Sequence, residues 1–224
     1  MLSEDEKLNI LYQYEKMDEL SKDQIKQVII WTSDKSSLIR QVAAECLFQE
    51  YPVTTKVLLR LARDRDEMVR VSAYETLRFY TSETVERFLE KAMRKERKEL
   101  ALAYAIASWG EVVIEREEHL DEKLKYIRRF ERKRKIRKSD RCILECETVK
   151  CLLGENKAFE KIANYIYHSD LSLRCCAIEN MEYVRDEENE DKVILYMTKA
   201  LNDPARRVAL RARKYLKKIK AENN

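Results

Sequence analysis

The sequence of 224 residues predicts an all-α protein, an α-α superhelix of about six stacked helix pairs, on three observations. The chain contains two Gly and two Pro, and no run alternates β-branched with polar residues. Leu, Lys, Glu, Arg and Ala, which favour helices, dominate the composition. A stripe of apolar and small residues, spaced as on one helix face, recurs at intervals of roughly 30 residues. A fixed repeat of this length is typical of stacked helical units.

The clearest stripe lies in residues 64–77 and is spaced i, i+3, i+4, i+7, i+8, as on the buried face of a helix. Its members are Val69, Ser72, Ala73, Thr76 and Leu77. Related stripes begin at Ile39, Leu100, Leu173 and Val208, and the best candidate for a sixth begins at Cys142. Glu145 and Lys150 interrupt this sixth stripe, which is therefore the weakest.

Signals at helix ends place the elements in chain order. Two capping boxes, Ser3 with Glu6 and Ser21 with Gln24, predict the starts of the first two helices. Pro52 suits the first turn of a later helix, where its missing N–H costs nothing. Gly110 and Gly154 are expected to end helices as left-handed caps. The resulting organisation is a capping helix (1–20), a helical stack (21–219) with a basic insertion around 120–141, and a C-terminal tail (220–224).

A consensus pattern, D-x4-[V/I]-R-x2-A-x3-L, occurs twice in full, beginning at Asp34 and at Asp64. Altered versions begin at Asp170 and Asp203. The pattern resembles HEAT repeats of the short bacterial type. The resemblance implies a curved solenoid of helix pairs in which Asp and Arg side chains tie neighbouring repeats together. Proteins of that family serve as scaffolds, as adaptors and in a few cases as enzymes, so the fold alone does not define the function.

The sequence predicts no enzyme and no catalytic residue, metal site or cofactor. His119 and His168 are the only histidines, and no CxxC motif, phosphate-binding loop or GxSxG motif is present. The six cysteines are expected to be reduced, with Cys46 and Cys176 in the core. No apolar run approaches the roughly 20 residues of a membrane span. The N-terminus lacks an apolar signal segment, so a cytoplasmic location is expected.

Charge is distributed unevenly along the chain. Residues 123–141 contain eleven Lys or Arg and two acidic residues, although the whole chain carries a net charge of only +4. Residues 206–220 add eight more basic residues. The segment 133–138 is expected to be an exposed turn, because its like charges repel. The candidate binding residues are Lys125, Arg128, Arg129, Arg132, Lys133, Arg134, Lys135, Arg137, Lys138, Arg206, Arg207, Arg211 and Arg213.

Three interpretations of the basic clusters stay open: charges that are merely solvated, binding of an acidic protein segment, and binding of nucleic-acid phosphates. The preferred function is a non-catalytic protein-interaction scaffold or adaptor whose partner is another protein, with an acidic one favoured. The alternative is a nucleic-acid-binding solenoid. Neither a membrane nor a small-molecule substrate is expected. Exposed positions of the inner helices are further candidate contacts, namely Gln41, Glu45, Glu75, Arg78, Glu179 and Arg213.

Overall fold

The computed structural model describes residues 2–222, and within that range it contains thirteen α-helices, one 3-10 turn and no strand. The all-α prediction is therefore confirmed. The helices are α1 (Glu4–Tyr14), α2 (Lys22–Trp31), α3 (Ser37–Glu45), α4 (Pro52–Leu61), α5 (Glu67–Leu77), α6 (Glu83–Lys95), α7 (Glu99–Arg116), α8 (Leu120–Glu131), α9 (Asp140–Leu152), α10 (Lys157–Asn164), α11 (Leu171–Tyr183), α12 (Glu190–Ala200) and α13 (Arg206–Glu222). The 3-10 turn, Tyr165–Tyr167, follows α10.

The chain divides into two compact units, Met1–Glu118 and His119–Asn224. In unit 1, α3 packs against α1 and α5, and α5 packs against α7. The intervening helices α2, α4 and α6 pack against α3, α5 and α7. In unit 2, α11 packs against α9 and α13, while α8, α10 and α12 pack against these three helices. In each unit every second helix therefore packs against the next of its own set, as the stripes indicate; these are called the inner helices, and the helices between them the outer helices.

Local sequence signals set several helix ends as predicted. Both capping boxes form, with Ser3 accepting from the N–H of Glu6 and Ser21 from that of Gln24. Pro52 occupies the first turn of α4. Gly154 adopts φ +86°, and the N–H of the next residue returns to the carbonyl of Lys150 at 2.9 Å, closing the end of α9.

The expectation for Gly110 is wrong, because it is buried in the interior of α7. Trp109, Val112 and Val113 continue the buried face on both sides of it. Burial of these apolar side chains offsets the cost of about 1 kcal/mol of a helical glycine relative to alanine. The helix ends instead at Glu117, which adopts the left-handed conformation. The predicted tail also differs, because α13 continues to Glu222, and residues 223–224 lie outside the described residues.

Ion pairs join consecutive helix pairs. Arg40 binds both carboxylate oxygens of Asp64 at 2.8 Å, and its Nη1 donates to the carbonyls of Asp34 and Lys35. Arg70 repeats this arrangement on Glu96, at 2.8 and 3.1 Å. Glu96, which lies just before α7, therefore supplies the carboxylate at the place where the consensus pattern has Asp. The predicted Asp–Arg contact between neighbouring helix pairs is thus confirmed for Arg40 with Asp64.

In unit 2 the same arrangement joins Arg174 to Asp203 at 2.7 and 3.1 Å. The alignment of Asp170 with Asp34 and Asp64 is wrong by two residues. His168 occupies that position, since the Nη1 of Arg174 donates to the His168 and Ser169 carbonyls. Asp170 instead caps α11 by accepting from the N–H of Ser172.

Unit 2 also contains a buried charge cluster around Lys150, which explains why the sixth stripe is irregular. Lys150 is 2% exposed, and its Nζ lies 2.7 Å from Glu131 and 2.8 Å from Glu147. Lys161 approaches the same oxygen of Glu147 at 2.8 Å from the surface. Burial alone would lower the pKa of Lys150, but the two carboxylates raise it, so the amine is charged.

All six cysteines lie within residues 2–222, and no disulfide joins any two of them. Cys46 is buried as expected, but Cys176 is only partly buried, and its neighbour Cys175 takes the core position. The reason is the packing of α11 between α9 and α13, which leaves Cys176 facing Arg141 of α9 at 3.4 Å. No helix in residues 2–222 is both long and apolar enough to cross a membrane.

Candidate binding surfaces

The two units differ in charge. Unit 1 has 19 basic and 23 acidic residues, a net charge of −4, and unit 2 has 26 basic and 18 acidic residues, a net charge of +8. All thirteen candidate binding residues belong to unit 2. The net electrostatic potential of unit 2 is therefore positive.

The first group of candidates, the α8 cluster, comprises Lys125 to Lys138. Ile127 and Phe130 bury one face of α8, so the basic residues of the helix lie on its other side. After Glu131 the chain forms a turn over residues 132–138, held down by the buried side chain of Ile136. Ser139 then begins α9 by accepting from the N–H of Cys142 at 3.1 Å. The prediction of an exposed turn is confirmed, with Ile136 as its anchor.

Few cations of the α8 cluster are neutralised. Arg128 pairs with Glu155 at 2.7 Å, and the amines of Lys133 and Lys135 lie over the ring of Phe130 at 4.6 and 5.7 Å. Among the described residues, the remaining members have no ion pair: Lys125, Arg129, Arg132, Arg134, Arg137 and Lys138. Six charges of one sign are thus presented to solvent.

The second group lies on α13 and forms the α13 groove, a shallow groove of about 530 Å³. Arg206, Arg207, Arg211 and Lys214 line it together with Glu179, Leu210 and Tyr215. Arg211 is partly neutralised by Glu179 at 2.7 Å, whereas Arg206 and Arg207 have no ion pair among residues 2–222. Leu210 is 47% exposed in the midst of these cations. Arg213 is exposed on α13 but does not line the groove.

The structure does not bring the two groups into one site. The packing order in unit 2 runs from α8 to α9, α11 and α13, so two helices lie between the clusters. They are therefore two separate basic surfaces of the same unit.

Three of the four candidate contacts on the inner helices of unit 1, Gln41, Glu45 and Arg78, are bonded within the unit. Glu45 accepts from Ser72 at 2.6 Å and from Gln41 at 3.3 Å. Arg78 lies 3.0 Å from Glu111. Partial burial raises the pKa of Glu75, and the charge of Glu45 adds to this effect while Arg78 opposes it. Because most of these residues are already bonded, this surface has less unpaired charge available to a partner than the basic surfaces of unit 2.

A third basic surface, at the junction of α6 and α7 in unit 1, was not predicted. Its cations come from two stretches, residues 63–70 and 91–98, which also contain acidic residues, and only folding brings the two together. Within residues 2–222, no group of three or more His, Cys, Asp or Glu side chains is arranged to hold a metal ion.

Comparison of the chain with protein-family models finds no match, and comparison with curated proteins finds no significant similarity. The function is therefore argued from the surfaces alone.

Proposed function

We propose that this protein is a non-catalytic interaction protein, a HEAT-like stack of helix pairs that binds an acidic segment of another protein through the α13 groove. The observation that carries the proposal is the mixed chemistry of the groove, in which Leu210 is exposed between Arg206, Arg207 and Lys214. An acidic helix or strand with an apolar side chain could cover Leu210 while its carboxylates pair with the two arginines. Such pairs are bidentate and geometrically specific.

The repeated ion pairs support the HEAT-like assignment. Arg40, Arg70 and Arg174 each bind a carboxylate from the following helix pair and two carbonyls five and six residues upstream. The same contact made three times indicates one structural unit used repeatedly. A rigid stack of this kind presents fixed side chains to a partner without needing a catalytic site.

The groove suits a protein better than a nucleic acid. Phosphate binding needs cations but no apolar contact, whereas burial of Leu210 favours a partner with an apolar side chain. Among the residues that line the groove only Tyr215 is aromatic, and it is partly buried with the amine of Lys214 at 5.7 Å from its ring, so little of it is available for base stacking. Under this proposal the α8 cluster steers an acidic partner to unit 2 and speeds association.

Nucleic-acid binding is the second candidate, and the α8 cluster favours it. Its six cations without ion pairs lie on an exposed helix and turn, which suits sequence-independent contact with a phosphate backbone. Neutralising about five phosphates on duplex DNA gives a log–log salt slope near −4 to −5.

Fluorescence anisotropy with labelled probes distinguishes the two functions. The probes are an acidic peptide with leucines at helical spacing, the same peptide with serine in place of leucine, a duplex and a single-stranded oligonucleotide. We expect the leucine peptide to bind more tightly than the serine peptide, and Leu210→Ser to remove this difference. Arg206→Glu with Arg207→Glu should weaken both peptides about tenfold or more, since each lost charge contact is worth about 1 kcal/mol even in water.

The matched control is Arg213→Glu with Lys217→Glu, which makes the same charge change on exposed positions of α13 outside the groove lining. Equal loss in both double variants would show that only net charge matters and would contradict the groove. Nucleic-acid binding that is abolished by reversing Arg129, Arg132, Lys133 and Arg134, together with no peptide binding, would establish the second candidate instead.

A further inference from the structure

Unit 1 contains a cationic groove of about 520 Å³ that no part of the proposed function uses. It lies where the end of α4 and helix α5 meet α6 and the turn into α7. Six cations line it, namely Arg63, Arg70, Lys91, Lys95, Arg97 and Lys98, against the single carboxylate of Glu96. The lining thus carries a net charge of +5 within a unit whose own net charge is −4.

Glu96, the one carboxylate that lines the groove, is already bonded within the protein. Glu96 binds Arg70 at 2.8 and 3.1 Å and accepts from the backbone N–H groups of Arg97 and Lys98 at 2.8 and 3.0 Å. Burial alone would raise the pKa of Glu96, but these bonds more than offset it and the pKa is lowered. Glu96 and Arg70 therefore neutralise each other, and Glu96 leaves no charge to balance the other five cations.

Those five cations, Arg63, Lys91, Lys95, Arg97 and Lys98, have no ion pair within residues 2–222. By comparison, Arg40, Arg78, Arg87, Arg94 and Arg116 of the same unit each pair with a carboxylate, and Arg60 bonds to Thr32 and Ser33. Unpaired charges gathered in one concavity repel one another, and a bound anion relieves that repulsion.

The groove is also partly preorganised for an anion. The guanidinium of Arg63 lies 4.6 Å over the ring of Phe88, and its Nη1 donates to the Leu59 carbonyl at 2.9 Å, so the group is held with further N–H donors available. Lys91 and Lys95 are one turn apart on α6 and so share a face of that helix. Lys98 stands at the start of the 18-residue helix α7, whose positive dipole end adds a field of the same sign.

We propose that this groove binds a compact polyphosphate group, either as free polyphosphate or as part of a nucleotide. A terminal phosphate carries about −1.5 to −2 charge at neutral pH and a phosphate linked on both sides about −1, so a chain of three phosphates carries about −4 to −5 and matches five cations in a small volume. A peptide would need five carboxylates, which an extended chain spreads over more than about 15 Å. Phosphodiesters carry one charge each along an extended backbone and match the concavity less well.

The test is isothermal titration calorimetry of the full chain with tripolyphosphate, ATP, AMP, orthophosphate and a pentaglutamate peptide. We expect one tripolyphosphate per chain with an affinity at least tenfold above that of orthophosphate, AMP or the peptide. ATP binding more tightly than tripolyphosphate identifies a nucleotide as the source, and the reverse order identifies free polyphosphate. Both orders support the groove.

Lys91→Gln with Lys95→Gln should weaken tripolyphosphate binding at least tenfold. The matched control is Lys22→Gln with Lys56→Gln, which removes the same charge from exposed positions of unit 1 that do not line the groove. Circular dichroism checks that both variants are folded. No saturable binding by the parent chain, or an equal loss in both variants, would overturn the proposal. This groove and the α13 groove lie in different units. Arg206→Glu with Arg207→Glu should therefore leave the affinity for tripolyphosphate within about twofold of that of the parent chain, so either proposal can fail without the other.

Discussion

Removing the buried amine of Lys150 should destabilise unit 2 far more than removing its exposed counterpart. Lys150 and Lys161 bind the same oxygen of Glu147 at the same distance of 2.8 Å, but their side chains are 3% and 57% exposed. Lys150→Met leaves Glu131 and Glu147 as carboxylates without their buried cation. Breaking a buried pair in this way costs about 3–5 kcal/mol. Lys161→Met removes only a surface pair, worth about 0.2–1 kcal/mol.

The cost should also depend on pH. In the parent chain, burial acts to raise the pKa of Glu131, but its bonds with Lys150 lower it overall. Without the amine, burial raises the pKa of the Glu131 carboxyl above its unfolded value of about 4.3. A folded pKa above the unfolded one costs stability at neutral pH, and the cost disappears as the pH falls through the raised value. The deficit of Lys150→Met should therefore shrink between about pH 7 and pH 4.5.

The assay is urea unfolding followed by circular dichroism at both pH values, for the parent chain, Lys150→Met and Lys161→Met. The two variants lose the same charge and a bond to the same oxygen of Glu147, so the difference between them reports the burial of Lys150 together with its second bond, to Glu131. A loss in Lys150→Met no greater than that in Lys161→Met at neutral pH would refute the reasoning, as would a deficit that grows on acidification.

Three further predictions concern the ion pairs, the thiols and Gly154. Burial acts to raise the pKa of Asp64, Glu96 and Asp203, but hydrogen bonds from Arg40, Arg70 and Arg174 lower it overall. The stability that these carboxylates contribute is therefore complete above about pH 5 and is lost on further acidification. Urea unfolding from neutral to acidic pH checks this, and Glu96→Gln should flatten the acid dependence; an unchanged slope contradicts it. Burial raises the pKa of Cys46 to about 12, so mass spectrometry after thiol labelling of the folded chain should find Cys46 unmodified and only the partly exposed Cys151 and Cys176 labelled. Rapid native labelling of Cys46 would be inconsistent with its burial. Gly154→Ala places a Cβ atom at a residue with φ +86°, where it meets no other atom within 4 Å. Calorimetry should therefore show a loss of about 1–2 kcal/mol in unfolding free energy from backbone strain alone, and no loss would contradict the left-handed cap.

Features that depend on a few neighbouring residues followed from the sequence. The capping boxes at Ser3 and Ser21, the start of α4 at Pro52 and the left-handed cap at Gly154 all satisfy local backbone groups, and each formed as expected. The i, i+3, i+4, i+7 stripes identified the helices that pack as the inner layer, because burial of one helix face imposes that period. The basic turn at residues 132–138 was also predictable, since like charges in sequence must remain in water.

Features that depend on which helices meet were decided only by the tertiary structure. In the sequence, Lys150 only interrupts an apolar stripe. In the structure, its amine pairs with Glu131 of α8. In the sequence, Gly110 indicates a helix end, whereas in the structure it is buried in the middle of α7. His168 holds the place assigned to Asp170, because the bonds of Arg174, and not the spacing of letters, define the alignment. The groove of unit 1 combines Arg63 with Lys91, Lys95, Arg97 and Lys98, which are about 30 residues away in sequence. Residues 63–70 have no net charge and residues 91–98 carry +4, but only the fold shows which of these charges are paired and which are not.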